Sequence, residues 1–469
     1  MTPTIRGTPP IITSVTTYYV KNFGCRAAQA DGAAIEQQLR CRGLQPASRQ
    51  DTADVVVLNT CTVTAAADQD ARAAIRHIHR ENPDCRILVT GCYAQRAPQE
   101  IAQMAGVNWV VGNSHKHQVA EIAGTPLDAL PPVAEYTSPL IAPDFLSPAA
   151  KAQSFVLRGD IFAHTELMAA PVFDGVSDRT RPILKVQDGC NNRCSFCIIP
   201  SVRGRSRSLS LAEVVRQTHQ LVDFGYRELV ISGINLGRWG RDLRPQQRLA
   251  DLVRAILAHT DLERLRISSV EPMDWSDELI LLVGSSPRIA KHAHVPLQSG
   301  SDHVLRRMHR KYRPWHYADR IRRIRMLMPD AAIGADVMVG FPGETDSEFE
   351  QTRDLIQELP FTYLHVFTYS QRPGTPAGNS PDQVPVPVAR ERGRILRQLA
   401  ASKKLAFQRS LVGETLEAIT LSRSGGESTE ALTDNYLKLK VQGKHKPNQW
   451  LRAKITDFVD AELIGIPVG

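Results

Sequence analysis

The sequence predicts an α/β protein built from three parts: an open parallel α/β sheet, a partial (β/α)6 barrel and a small all-β barrel. Short apolar runs alternate with helical stretches through residues 13–123, and the same alternation runs from 179 to 410. This rhythm is typical of parallel sheets covered by helices. From 411 to 469 the chain shows strand-like runs without a helical period, which indicates an antiparallel barrel. A chain of 469 residues is long enough for two or three domains.

Four short β-branched or apolar runs predict the strands of the N-terminal part. They are SVTTYYV (14–20), DVVVLN (54–59), RILVTG (86–91) and NWVVG (108–112). Helices are expected at about Gln29–Arg42, 65–80 and 97–105. The segment 124–178 is rich in Pro and Ala, and we interpret it as a linker or a loosely packed arm. Within it, FVLRGD would add a strand at the edge of the sheet.

Six strand-like runs separated by helices predict the central barrel. They are ILKVQ (183–187), ELVIS (228–232), RLRISS (264–269), AKHAHVPL (290–297), IGADVMVG (333–340) and YLHVFTY (363–369). A long helix is expected from about Pro387 to Ser410. Because a closed barrel of this type has eight units, six units predict a partial one. The tail has four predicted strands, LEAITLS (416–422), LKLKVQ (437–442), WLRAKITDFV (450–459) and AELIGIPV (461–468).

Composition and charge narrow the class of protein. No stretch approaches the ~20 apolar residues of a membrane span, and the N-terminus has no apolar region typical of a signal peptide. We therefore expect a cytoplasmic protein, and we expect a monomer. The net charge of +8 permits an acidic partner such as RNA without requiring one. In a reducing compartment, clustered cysteines are more often metal ligands or catalytic thiols than disulfides.

Three cysteines stand close together in DGCNNRCSFCIIP (188–200): Cys190, Cys194 and Cys197. They follow a predicted strand, which places them in the first βα loop, at the face of a barrel where active sites lie. Thiolates suit zinc or iron–sulfur clusters. Three thiolates can hold three irons of a cubane and leave the fourth iron open to an exogenous ligand. The alternative is a three-cysteine zinc site completed by a remote histidine.

Three further cysteines, Cys25, Cys61 and Cys92, are far apart in the chain, but each follows one of the first three predicted strands. The ends of parallel strands lie along one edge of an open sheet, where ligands bind. These thiolates can therefore converge and hold a second cubane with one open iron. Three buried structural cysteines are the alternative. Cys41 and Cys85 belong to no motif and are interpreted as ordinary structural thiols.

The C-x3-C-x2-C spacing, with Phe196 before the last cysteine, resembles that of the radical S-adenosylmethionine superfamily. The resemblance implies that S-adenosylmethionine chelates the fourth iron of a [4Fe-4S] cluster. It also implies that an electron from the cluster generates a 5′-deoxyadenosyl radical. By the same resemblance, Phe196, Asn235, Glu271, Gln298 and Gly340 help to bind S-adenosylmethionine. For any one of the last four, a tight turn or a capped helix start is the alternative.

The stretches NFGC, LNTCTVT and TGCYAQ, followed by the radical motif, resemble the methylthiotransferases over nearly the whole chain. These enzymes insert sulfur into an unactivated C–H bond of RNA or a ribosomal protein and then methylate it. The resemblance implies a second [4Fe-4S] cluster on Cys25, Cys61 and Cys92, a C-terminal TRAM domain, an electron donor and a sulfur donor. One position departs from the family, which usually has Asn where this chain has Ala28.

Within the family, GYRELVISGINLGRWGRDL, RLRISSVEP and YLHVFTYSQRPGTPA most resemble the group that acts on threonylcarbamoyladenosine beside the anticodon of tRNA. That group produces the 2-methylthio derivative. Isopentenyladenosine tRNA and a ribosomal protein are the alternative substrates, the latter because IIPS and the RGxxxSR-like stretch within 198–208 resemble the third group. Two other classes are a non-catalytic iron–sulfur RNA-binding protein and a radical methylase that does not need Cys25, Cys61 and Cys92.

TRAM domains bind RNA, and the tail supplies a basic surface for it. Residues 436–454 contain six Lys or Arg and no acidic residue. The predicted RNA contacts are Lys438, Lys440, Lys444, Lys446, Trp450 and Arg452. Trp450 would stack on a base, with a solvated strand and a buried Trp as the alternative. A second basic region lies at 306–313, and Arg203, Arg205 and Arg207 follow the radical motif; both could also contact RNA.

Overall fold

A computed structural model describes residues 16–125, 154–164, 167–168, 181–425 and 427–468. Most of the predicted linker at 124–178 lies outside the described residues. Its described residues include a strand at Phe155–Leu157, which pairs with the edge of the N-terminal sheet as the sequence suggested. In the described part of the chain, no helix is both long and apolar enough to cross a membrane.

The N-terminal sheet has six parallel strands in the order β2-β1-β3-β4-β5-β6. The strands are β1 (Thr17–Asn22), β2 (Gln45–Pro46), β3 (Val55–Thr60), β4 (Arg86–Gly91), β5 (Val107–Gly112) and β6 (Phe155–Leu157). The helices are α1 (Arg26–Cys41), α2 (Ala65–Glu81), α3 (Cys92–Arg96), α4 (Pro98–Ala102) and α5 (Val119–Gly124). Apolar clusters cover both faces of the sheet. All residues of β3 are buried, as expected for a central parallel strand.

The central part is the predicted partial barrel of six parallel strands. Its strands are β7 (Ile183–Asp188), β9 (Glu228–Gly233), β10 (Arg264–Ile267), β11 (His292–His294), β12 (Ala332–Val339) and β13 (Tyr363–Thr368), and the short β8 (Arg207–Ser208) pairs antiparallel with β7. Its helices are α6 (Ile199–Arg203), α7 (Leu211–Asp223), α8 (Leu249–His259), α9 (Asp277–Ser285), α10 (Asp302–Arg307), α11 (Pro314–Leu327), α12 (Asp346–Glu358) and α13 (Val386–Arg409). In the described part of the chain, the isolated parallel bridge between Leu265 and Ile289 joins the two halves of the barrel.

The C-terminal part is a closed five-stranded β-barrel in the order β14-β15-β16-β18-β17. Its strands are β14 (Thr415–Gly425), β15 (Ser428–Thr433), β16 (Lys438–Gln442), β17 (Trp450–Val459) and β18 (Glu462–Val468). The sequence missed β15, because its buried positions are mostly small or polar (Thr429, Ala431, Thr433) and give no apolar alternation. The expected antiparallel pairing also needs one correction, since β16 and β18 pair in parallel.

Candidate active site

The three cysteines that are far apart in the chain, Cys25, Cys61 and Cys92, lie at one edge of the N-terminal sheet. Cys25 precedes α1, Cys61 follows β3 and Cys92 begins α3 directly after β4. Strands β1, β3 and β4 are neighbours in the sheet. Gly24 has a φ of +92°, and a Cβ there would lie 2.8 Å from Cys61 Sγ, so only glycine permits this approach of the two loops. The structure therefore brings the three cysteines together.

The environment of Cys61 favours a positively charged ligand. Burial raises the pKa of the Cys61 thiol to about 11, and the neighbouring Cys92 and Cys25 raise it further. Thiolates crowded together in this way are costly unless a cation compensates their charge. A metal centre supplies that compensation and takes up all three thiolates, so the donor set fits an iron–sulfur cluster.

The loop near Cys25 is held by an asparagine from a neighbouring strand. Asn59 Nδ2 donates to the carbonyl oxygen of Ala28 at 2.6 Å and to Asn22 Oδ1 at 3.0 Å. Ala28 itself is buried. Although the chain lacks the family's usual side-chain amide at position 28, the backbone there is fixed by Asn59.

The second set of thiols lies in the loop between β7 and α6. Cys190 Sγ accepts hydrogen bonds at 3.4 Å from the backbone N–H of Asn192 and from Asn235 Nδ2. Cys194 Sγ accepts one at 3.3 Å from Arg310 Nη1. Burial raises the pKa of Cys197 to about 12, and Cys194 and Cys190 add to the shift. Donors therefore already point at two of these sulfurs, as they would at thiolates.

The spacing of the sulfurs argues against a single metal ion. On one tetrahedral zinc ion, with Zn–S near 2.3 Å, sulfurs lie about 3.8 Å apart. Among the described residues, neither set has all three Sγ atoms within 4.8 Å of one another, and no His, Asp or Glu completes either set at that spacing. Both sets therefore fit a larger polynuclear group better than a closed zinc site, which takes four ligands.

Two of the residues predicted to bind S-adenosylmethionine lie against this second set. Asn235 contacts Cys190, and Glu271 pairs with Arg310, which in turn contacts Cys194. Cys194, Glu271 and Arg310 line one small cavity. Arg310 was not assigned to this site from the sequence, where it stands within the basic run 306–313. The position of Arg310 in the sequence did not indicate this contact, because it is the loop after α10 that brings Arg310 back to the cysteines.

The remaining three predicted residues take other positions. Gln298 has a left-handed backbone (φ 64°) and its N–H donates to the Asp336 carbonyl at 2.8 Å. The Phe196 ring lies edge-on to Phe341 at 6.3 Å. Gly340 was expected to admit a ligand, but a Cβ there would lie 2.5 Å from Ala389 Cβ. Helix α13 therefore approaches Gly340 closely, and the contact of this glycine with S-adenosylmethionine stays a prediction.

The two cysteine sets adjoin each other. Cys92 packs in one apolar cluster with Ile198 and Val202, which follow Cys197 in the chain. Asn113 Nδ2 donates to Cys92 Sγ at 3.5 Å and to the Val202 carbonyl at 2.7 Å. Sequence reasoning missed Asn113, although it directly follows the fourth predicted strand, at the same sheet edge as the cysteines. This side chain links the loop of one set to the loop of the other.

A buried ion network joins the same two regions. Asp31 of α1 accepts from Lys116 (2.8 Å), from Arg203 (3.0 Å) and from Lys185. Asp188, two residues before Cys190, accepts from Lys185 (3.0 Å) and Arg203 (2.9 Å). Burial would raise the pKa of each carboxyl, but these cations hold both well below the usual range. Since Arg203 is 2% exposed, its proposed contact with RNA is wrong.

The basic residues of the tail are partly neutralised. Of the side chains that were predicted to contact RNA, four are exposed in the structure: Lys438, Lys444, Lys446 and Arg452. Lys438 lies 3.5 Å from Glu430, and Lys440 lies 2.5 Å from Glu462. Glu430 and Glu462 therefore lie beside the basic stretch 436–454 in the folded barrel, although that stretch contains no acidic residue.

Trp450 and the second basic region are engaged in protein contacts. The Trp450 ring lies 4.5 Å from the Arg264 guanidinium, and its Nε1 donates to Glu263 Oε2 at 2.5 Å. Trp450 therefore packs against the central barrel. In the region 306–313, the arginines pair with acids: Arg306 and Arg313 with Asp302, Arg307 with Glu348, and Arg310 with Glu271. Only Arg306 and Arg307 lie in helix α10, and Arg310 is buried, so the region is not the single solvated helix face that the sequence offered as an alternative. Its arginines are engaged in ion pairs rather than free for RNA.

Two family models match the chain. Residues 17–112 match "Uncharacterized protein family UPF0004", and residues 184–356 match the radical SAM superfamily. The fold is similar to that of the radical S-adenosylmethionine methyltransferase TsrM from Kitasatospora setae, with a TM-score of 0.57 and 16% identity over 78% of this chain and 77% of that one. This likeness concerns the fold alone.

Relatives of higher identity cover most of the chain. Threonylcarbamoyladenosine tRNA methylthiotransferase MtaB of Bacillus subtilis (strain 168) is 39% identical over 90% of this chain and 89% of its own length. The MtaB of Aquifex aeolicus (strain VF5) is 34% identical, with 93% and 99% covered. A tRNA-2-methylthio-N(6)-dimethylallyladenosine synthase of Acidothermus cellulolyticus (strain ATCC 43068 / DSM 8971 / 11B) is 33% identical, with 96% and 85% covered. The chain therefore belongs to the radical S-adenosylmethionine methylthiotransferase family, and it is a transferase.

Proposed function

We propose that this enzyme inserts sulfur and a methyl group at C2 of N6-threonylcarbamoyladenosine next to the anticodon of tRNA, giving the 2-methylthio derivative. The observation that carries the proposal is the adjacency of two sets of three thiols, joined by Asn113 and by the contact of Cys92 with Ile198. Abstraction of hydrogen and delivery of sulfur both have to reach one carbon, and two adjacent centres meet that requirement.

The family's [4Fe-4S] cluster and S-adenosylmethionine would be bound at the second set. Cys190, Cys194 and Cys197 would hold the cluster, and Cys25, Cys61 and Cys92 would hold another. When bound, the clusters supply an electron for reductive cleavage of S-adenosylmethionine and a binding place for sulfur. Around them, Asn235 and Arg310 stabilise the thiolates of Cys190 and Cys194 by donated hydrogen bonds. An electron donor and a sulfur donor complete the system.

The choice of tRNA and of threonylcarbamoyladenosine is supported by the relatives. The 39% and 34% identical proteins carry that substrate in their names, whereas the dimethylallyladenosine enzyme is 33% identical. The exposed lysines of the C-terminal barrel, Lys444 and Lys446 among them, suit a phosphate backbone.

Mass spectrometry of tRNA nucleosides tests the proposal. The gene would be expressed in a host that makes threonylcarbamoyladenosine but lacks its methylthiotransferase. The 2-methylthio derivative of threonylcarbamoyladenosine is the expected product. A methylthio group on isopentenyladenosine instead would support the proposed reaction but show that the substrate is different. No modified nucleoside, with intact clusters in the protein, would contradict the proposal and make a ribosomal protein the next target.

A further inference from the structure

The inside of the central barrel carries polar side chains that neither cysteine set uses. Along β11, β12 and β13, alternate residues pack outward into the apolar core, including Ala293, Ala335 and Val337. The residues between them face the opposite side of the sheet. On that inner side lie His294, Asp336 and His365, one from each of three neighbouring strands.

These three side chains converge on one point. One ligand atom of each lies within 4.8 Å of the others. His294 Nε2 is 3.4 Å from Asp336 Oδ1, and the rings of His294 and His365 are 5.6 Å apart. His294 is 9% exposed, and the contact of its Nε2 with Asp336 does not have hydrogen-bond geometry. Buried polar atoms usually make a well-formed hydrogen bond, and a polar ligand group placed between these side chains would supply one.

An arginine from the N-terminal part lies near the same side chains. Arg26, next to Cys25 in the chain, donates to the Tyr436 hydroxyl at 3.0 Å. Its charge also contributes to lowering the pKa of His365, where burial is the largest cause. Tyr436 belongs to the C-terminal barrel and adopts a left-handed backbone (φ 65°), which places its ring 4.7 Å from that of His292. All three parts of the protein therefore contribute to this pocket.

The pocket is connected to both candidate centres. Arg26 follows Cys25 directly in the chain. The backbone carbonyl of Asp336 accepts from the N–H of Gln298, a residue predicted to help bind S-adenosylmethionine. His365 is exposed, so the pocket is open to an incoming group. A base whose C2 reaches the reacting centres would direct its other substituents into this space.

We propose that Arg26, His294, Asp336 and His365 form the subsite that receives the polar substituent on N6 of the target adenosine. The inference rests on the proposed function and deepens it. A threonylcarbamoyl group carries a carboxylate, a hydroxyl and ureido N–H groups. The Arg26 guanidinium pairs with the carboxylate, the imidazoles bond the hydroxyl, and Asp336 accepts from an N–H. An apolar isopentenyl group would make none of these bonds, and sites built to hydrogen-bond a substrate group strongly reject analogues that lack it.

The test uses the cluster-loaded enzyme and two anticodon stem-loop RNAs, one with threonylcarbamoyladenosine and one with isopentenyladenosine. Arg26→Gln and His365→Phe are compared with wild type and with His303→Phe, a change at an exposed histidine outside the pocket. Iron and sulfide content reports whether each variant is folded and loaded. We expect both pocket variants to lose about tenfold or more in kcat/KM for the threonylcarbamoyl RNA, mainly through KM. The ratio of kcat/KM between the threonylcarbamoyl and isopentenyl RNAs should fall in the same variants, while His303→Phe should match wild type.

Three outcomes would overturn the inference. Unchanged kinetics in both pocket variants, or an equal loss with both RNAs, would show that the pocket does not read the substituent. A stoichiometric zinc ion that dialysis against a chelator removes, and that His365→Phe lacks, would assign the three inner side chains to a metal instead. Failure of the proposed function is distinguishable, because wild type would then modify the isopentenyl RNA and leave the threonylcarbamoyl RNA unmodified.

Discussion

Replacing Asp31 by asparagine removes one of the two carboxylates from the ion network between the cysteine sets. Asp31 is 1% exposed and accepts from Lys116, Lys185 and Arg203. Without its charge, Lys116 loses the carboxylate it pairs with, while Lys185 and Arg203 keep Asp188. Breaking a buried pair by removing one partner costs roughly 3–5 kcal/mol. In a unit of 150–250 residues, each kcal/mol of destabilisation lowers the midpoint temperature of unfolding by about 2–4 °C, so the expected decrease is roughly 6–20 °C.

Anaerobic scanning calorimetry of the cluster-loaded protein measures this shift. Because a chain of several domains need not unfold in one step, the transition of the unit containing the network is compared with wild type. Asp354→Asn is the matched control, since that carboxylate is 64% exposed and pairs with the neighbouring Arg353. Its effect should stay within about 0.5 kcal/mol. A shift for Asp31→Asn no larger than that of the control would refute the reasoning.

The same network gives a pH dependence of defined sign. Cations hold the pKa values of Asp31 and Asp188 below the usual range, although burial alone would raise them. The stability they contribute is therefore complete above the pKa of an unfolded aspartate, about 3.9, and is lost as the pH falls toward the lower folded values. Wild type should lose midpoint temperature more steeply than Asp31→Asn on acidification below about pH 4. Parallel curves would contradict this account.

Two further predictions concern the cysteine loops. Gly24→Ala should destabilise the protein by about 1–2 kcal/mol or more and lower its iron content, because the added Cβ would lie 2.6 Å from Cys61 Cβ. The control Gly43→Ala is also at positive φ but has nothing within 4 Å of its Cβ, so it should keep its iron. Equal iron content in the two variants would count against the close approach. Arg310→Gln should raise the KM for S-adenosylmethionine about 10–100-fold, the value of a lost hydrogen bond to a charged group. The control Lys404→Gln, at an exposed position of α13, should leave this KM unchanged, and equal KM values would remove Arg310 from the site.

The convergence of the thiols followed from the order of strands in the sequence. Cys25, Cys61 and Cys92 each follow a predicted parallel strand, and neighbouring parallel strands end at one sheet edge. The six βα units were equally visible, because their apolar runs are regularly spaced. These features are local, so one stretch of sequence suffices to detect each of them.

The contacts that join distant parts of the chain could not be predicted. Asp31 pairs with Arg203, 172 positions away, and Arg26 reaches Tyr436, 410 positions away. No periodicity encodes such pairs. A charge run also looks the same whether it faces RNA or pairs with acids from other elements, and for this reason 306–313 appeared to be a basic patch.

The central claim is that the two cysteine sets have different roles, and comparing Cys190→Ala with Cys61→Ala tests it most directly. The measurement is quantification of 5′-deoxyadenosine and 2-methylthio nucleoside from the same anaerobic reaction with dithionite. We predict that Cys190→Ala yields neither product, while Cys61→Ala still yields 5′-deoxyadenosine but no methylthio nucleoside. Loss of 5′-deoxyadenosine in both folded variants, or methylthio product from Cys61→Ala, would contradict the account.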